Sequence, residues 1–71
     1  MSTEEFLIEF AKNLRKIRKS KKLSQEKLGL LSDVDRVHIG RIERLERKPS
    51  LEVVHKLSKG LQISIVELVQ F

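Results

Sequence analysis

Three times along this chain an aliphatic residue, a helix-capping residue and a second aliphatic recur at one fixed spacing. Leu23-Ser24 is followed by Leu28, Val34-Asp35 by Ile39, and Ile63-Ser64 by Leu68. A Ser or Asp at the cap accepts a hydrogen bond from a free N–H of the helix that follows. The aliphatic before the cap packs against the one four positions after it and fixes how the chain enters the helix. Starts this close together leave room only for short helices. The pattern predicts an all-α fold, a compact bundle of about five short helices forming one domain over residues 1–71.

The remaining starts fit between these. Ser2 and Glu5 have the spacing of a capping box, and Leu7, Phe10, Leu14 and Ile17 recur at helical intervals. A first helix is expected from Ser2 to about Ser20, with Phe6 and Ala11 widening its apolar stripe. Ser24 opens a second helix whose Leu28 and Leu31 are expected to face the core. Gly29 is unfavourable inside a helix by roughly 1 kcal/mol, which makes sense where another helix crosses closely. Residues 32–34 form a turn. Asp35 opens a third helix, with Ile39, Ile42 and Leu45 expected inward. Leu45 to Pro49 is a basic loop, and Ser50 caps a fourth helix carrying Val54, Leu57 and Leu61. Gly60 leaves the end of that helix softly signalled. Ser64 and Glu67 repeat the capping box at the start of a fifth, over about 64–71.

A chain this small buries only about 60% of its unfolded surface, so its core is marginal. It has no cysteine, hence no disulfide and no thiolate metal site, and with only two histidines no structural zinc site is expected. No cofactor is expected. No Gly-rich phosphate loop, nucleophile turn or oxyanion motif accompanies the Ser, His and Asp residues, so an enzyme is not expected. No signal peptide is seen, and no apolar run approaches the ~20 residues of a membrane span. A cytoplasmic protein with no membrane partner is expected. Fifteen Lys and Arg against ten Asp and Glu give a net charge of +5, which suits a polyanionic partner. The only aromatics are Phe6, Phe10 and Phe71. Their placing suggests core and argues against stacking on single-stranded bases.

Residues 24–44 therefore read as two short helices around a tight turn, the second with a core face and a basic face. Leu28, Gly29, Val34, Ile39 and Ile42 hold the register of the phage-repressor-type (Cro-like, xenobiotic-response-element) helix-turn-helix family, which this chain resembles over nearly its whole length. Glu43 matches the family's acid after the second aliphatic, and Arg47-Lys48-Pro49-Ser50-Leu51 its R-x-P-S-L-like stretch. Asp33 stands where the turn usually has Gly, and Gln62 where the fourth helix often ends in Gly. Within the family the chain is most similar to the controller proteins of restriction–modification systems, through Asp35-Arg36-Val37-His38-Ile39 and Lys59-Gly60-Leu61. The resemblance implies a lambda-repressor-like DNA-binding domain and a homodimeric transcription regulator on a two-fold double-stranded DNA operator. It also implies an ion pair between Arg18 and Glu43 that ties the first helix to the end of the third.

Residue type suggests the roles on DNA. Arg36 can reach a guanine edge bidentately. Arg41 suits a base or a phosphate. Val37 can touch a thymine methyl or simply fill surface, and His38 can bond a base or phosphate or stand uninvolved. Ser24 and Gln25 lie at a helix N-terminus, where free N–H groups favour phosphate. Arg44, Arg47 and Lys48 are expected to track the backbone. His55 has no ligand set around it. Asp33, Asp35 and Glu26 can offer an acidic surface to RNA polymerase, although turn and cap roles suffice for them.

One small module reads few base pairs, and two copies read half-sites about 34 Å apart or multiples of that. The C-terminal stretch has more apolar residues than one helix face needs. Leu61, Ile63 and Leu68 can serve the core. Ile65, Val66, Val69 and Phe71 are then spare for a dimer interface, with Ile63 at its margin. Competing readings are a prophage or plasmid repressor, an antitoxin-like protein-interaction module, and a basic peptide lying on a membrane surface. The capped helices argue against the last.

Overall fold

The connections between helices carry the fold. In the computed structural model, which describes residues 1–71, five helices run in order: α1 Thr3–Ser20, α2 Gln25–Ser32, α3 Arg36–Glu43, α4 Leu51–Leu61 and α5 Ile65–Val69. Each starts where a cap predicts. Ser2, Ser24, Asp35, Ser50 and Ser64 accept from backbone N–H groups of Glu5, Lys27, Val37, Val53 and Glu67. Both capping boxes are complete.

The stops were less legible. After each of α1 to α4 one residue turns left-handed: Lys22, Asp33, Leu45 and Gln62, with φ of 59°, 57°, 64° and 59°. None is glycine, the residue that adopts this conformation without steric cost. The next N–H then reaches back five residues, Leu23 to Arg18 (3.1 Å), Val34 to Gly29 (3.1 Å), Glu46 to Arg41 (2.8 Å) and Ile63 to Ser58 (3.0 Å). Three connections are therefore the same device. A left-handed residue closes one helix, an aliphatic follows, and a cap opens the next: Lys22-Leu23-Ser24, Asp33-Val34-Asp35 and Gln62-Ile63-Ser64. The aliphatic in each packs on or within the core.

That core is Phe10, Leu14, Leu28, Val34, Ile39, Ile42, Val54, Leu57, Leu61 and Leu68. α2 packs chiefly on α4 and also on α3, while α1 meets α3 and α5. Gly60 lies inside α4 and does not end it. A Cβ there would sit 2.7 Å from Ser32 Cβ and 3.0 Å from its backbone, so this glycine lets α4 cross α2 closely. Ser32 turns its hydroxyl back to the Leu28 carbonyl at 2.6 Å, hiding its polarity at the crossing. Asn13 on α1 donates to the carbonyls of Glu67 and Leu68 (3.2 and 2.8 Å) and holds the C-terminal end of α5.

Three expectations about the core need correction. Leu31 is 51% exposed, because α2 buries Leu28, Gly29 and Ser32 against α4 and α3. Leu45 is 52% exposed, since its left-handed backbone leaves the helix before the side chain can join the inward row. Phe6 lies outside the core, packed on Phe71 with ring centroids 5.2 Å apart.

Candidate nucleic-acid interface

The second and third helices and their turn are held in one geometry. Gly29 is at the closest point, where an added Cβ would lie 2.6 Å from the Val34 carbonyl oxygen. Val34, Ile39 and Ile42 are buried beneath. The far end of α3 is fixed by charge. Arg18 grips Glu43 through Nε–Oε2 at 2.7 Å and Nη2–Oε1 at 3.0 Å. Its Nη1 donates to the Leu23 carbonyl at 2.8 Å. Gln25 Nε2 adds a bond to Glu43 Oε1 at 3.1 Å. The side chains of Arg18 and Glu43 are 9% and 3% exposed. A pair this dry is tolerated because every guanidinium edge and both carboxylate oxygens are used. Gln25 and the Leu23 carbonyl complete the network around the Arg18–Glu43 pair.

With its inner face locked, α3 turns outward Arg36, Val37 and Arg41, all exposed. Arg36 reaches towards Glu26 on α2, 3.6 Å away, with both side chains open to solvent. His38 is half-buried, and its Nε2 is inside without a hydrogen-bond partner. Val37, His38 and Arg41 share a shallow depression with Asp35 and with Arg47 from the following loop. The loop thus brings one of its cations beside the outer face of α3. Lys48 is exposed further along.

A second concave surface lies across the α1 side of the motif, lined by Arg15, Arg18, Gln25, Glu43 and Arg44 without one apolar residue. Gly40 lies against two of these side chains. A Cβ there would lie 2.9 Å from Arg44 Nη1 and 3.2 Å from Gln25 Oε1. Arg44 also holds Glu46, with Nε–Oε2 at 3.0 Å and Nη2–Oε1 at 3.4 Å. The Arg44 hydrogen bond, aided by its charge, keeps the Glu46 carboxyl below its ordinary value, and the same contact raises the Arg44 guanidinium. Ser24 is exposed at the adjacent N-terminus of α2.

Sequence reasoning did not find the Arg44–Glu46 contact or Arg15's place beside Gln25 and Arg44. The second had a signal, since Arg15 lies three positions before Arg18 on the same helix. The first had none, because it depends on the left-handed turn at Leu45. His55 is exposed on α4, away from these surfaces.

The arrangement is that of a helix-turn-helix, and the pattern of the helix-turn-helix family matches residues 14–68. The chain belongs to that family. Among curated relatives, Control protein C.BamHI of Bacillus amyloliquefaciens is 41% identical over 63 residues, covering 87% of this chain and 78% of that protein. Control protein C.SmaI of Serratia marcescens is 40% identical over 58 residues, covering 82% and 69%. Among solved structures, the restriction-modification controller protein C.AhdI from Aeromonas hydrophila superposes with a TM-score of 0.84 at 44% identity, covering 87% of this chain and 94% of that one.

Proposed function

We propose that this chain is a homodimeric, sequence-specific DNA-binding regulator of transcription that controls the genes of a restriction–modification system. The observation that carries the reading is the division of α3. Ile39 and Ile42 are 0% and 1% exposed, while Arg36, Val37 and Arg41 stand clear of the protein on a helix locked at its far end by Arg18 and Glu43. A helix so held can enter a major groove with fixed register. Likeness to controller proteins supports the biological setting. The molecule works by binding and not by catalysis, and acts in the cytoplasm. No helix is long and apolar enough to cross a membrane.

In this reading Arg36 reads a guanine, Val37 meets a thymine methyl, and Arg41 reaches a base or the adjacent phosphate. His38 contributes only through its outer edge, since its Nε2 is turned inward. Ser24, Gln25, Arg44, Arg47 and Lys48 hold phosphates on either side. Selection of bound sites from random duplex, followed by binding measurements on the chosen site, tests the assignment. Arg36→Ala should cost about 1–3 kcal/mol on the selected site and relax preference at one base pair. An equal loss on random duplex makes Arg36 a phosphate contact instead. Affinity that does not change between low and moderate salt overturns the phosphate contacts altogether.

The second copy docks through the C-terminal end. Val66 and Phe71 are 65% and 43% exposed, while Ile63, Ile65 and Val69 are half-buried against the core and complete the patch from beneath. RNA polymerase is a further partner on this reading, met by the surface formed by Glu26, Asp33 and Asp35.

A further inference from the structure

The turn after α3 departs from the device that joins the other helices. Where Leu23, Val34 and Ile63 follow the left-handed residue, this turn has Glu46. An apolar residue there would pack on the core. Glu46 instead leaves its carboxylate in solvent, returned to within reach of Arg44 by the Leu45 turn and the Glu46 N–H to Arg41 carbonyl bond. The contact uses Nε and Nη2 of Arg44, the edge that a phosphate takes when a guanidinium grips it with two parallel bonds. Nη1 is left towards Gly40 and Gln25. Both side chains are about half open, at 56% and 54%, so the pair is free to exchange with a competing anion.

We propose that Glu46 is an internal stand-in for phosphate: it occupies Arg44 in the DNA-free protein and must be displaced before Arg44 can bind the backbone. The inference rests on the reading of Arg44 as a phosphate contact. Its consequence is a brake on affinity for any duplex. Sequence choice is untouched, because the same exchange precedes every complex in which Arg44 holds a phosphate. Glu43 is the other carboxylate near Arg44, but Arg18 and Gln25 already consume its oxygens. Glu46 is thus the carboxylate that competes.

The test is a cycle of four proteins, wild type, Glu46→Gln, Arg44→Gln and the double variant, titrated against the selected site and against random duplex over a salt series. Glu46→Gln should tighten both by roughly two- to fivefold, the range of an exposed ion pair. The ratio of selected to random affinity should stay the same. In the Arg44→Gln background the gain should vanish. A gain that persists without Arg44 means Glu46 merely repels DNA, and overturns the exchange. Weaker binding by Glu46→Gln makes Glu46 a support that aims Arg44, and also overturns it. If Arg44→Gln binds as wild type while Arg36→Ala does not, the proposal falls and the base-reading assignment stands. If neither duplex binds wild type, the DNA reading itself has failed. Because both substituted side chains are at the surface, unchanged thermal unfolding separates these outcomes from misfolding.

Discussion

The three glycines divide by what surrounds them. Gly29 faces the Val34 carbonyl oxygen at 2.6 Å and Gly60 faces Ser32 Cβ and backbone at 2.7 to 3.0 Å, so neither site can yield without moving backbone or a buried side chain. Gly40 faces only the tips of Arg44 and Gln25. Alanine at each gains roughly 1 kcal/mol of helix propensity, and overpacking costs about 1–3 kcal/mol where the neighbours are fixed. Gly29→Ala is therefore expected to destabilise by up to about 2 kcal/mol in urea unfolding, and Gly40→Ala to stabilise by up to about 1 kcal/mol. Gly40→Ala should also weaken DNA binding, since the methyl displaces two side chains assigned to phosphate. Glu43 offers the opposite contrast. Glu43→Ala strands the Arg18 charge at a site only 9% open, and a loss of about 3–5 kcal/mol is expected from the same unfolding measurement. Arg18→Met combined with Glu43→Leu should recover part of that loss, because an apolar pair removes the stranded charge.

Helix starts were legible and helix stops were not, and the reason is physical. A start is written in side-chain chemistry, as Ser24, Asp35 and Ser64 show, and the aliphatics beside them confirm it. A stop is written in backbone conformation, for which glycine is the usual sign. Here Lys22, Asp33, Leu45 and Gln62 turn left-handed without it, so only Asp33, a residue tolerant of that region, announced itself. The same blindness placed Leu45 in the core, whereas Leu31 lies within α2 and is exposed because that helix buries Leu28, Gly29 and Ser32 instead. The unread stop at Leu45 also hid Glu46 behind its turn. The Arg18–Glu43 tie was reached only through family resemblance, since no local pattern links residues so far apart. Asn13 at the end of α5 had no signal at all. The strained stops give a prediction of their own. Gln62 is exposed, with its backbone left-handed at φ 59°. Gln62→Gly should relieve the left-handed strain and raise stability by about 0.5–1 kcal/mol after the added freedom of the unfolded chain is subtracted. Thermal unfolding should show a rise of a few degrees, and a fall in Tm would mean that the Gln62 side chain supports the turn.

For the whole molecule, the proposed function gives DNA reading to α3 and pairing of copies to α5, two helices that both pack on α1. The chain packs into 31 × 22 × 21 Å, with α3 outward on one side and α5 docked on α1 through Asn13 and on α4 through the core. α5 has only five residues and owes its stability to packing, because a helix that short does not persist alone. Its inner residue Leu68 is 0% exposed, and Ile65 and Val69 lean on the same core. A charge at Val69 would therefore disturb folding as well as association. Val66 is the cleaner probe, at 65% exposure on the outer side of the helix. Val66→Glu should leave the thermal unfolding of the isolated subunit nearly unchanged. In sedimentation it should shift the protein from dimer to monomer, since two-fold symmetry sets the new charge against its own copy. Binding to a site with two half-sites should then fall steeply, while binding to a single half-site should change little. A variant that remains dimeric would place the interface elsewhere. A wild type that is monomeric at micromolar concentration would remove the second copy from the reading, leaving α3 and its cations as a complete reading head on their own.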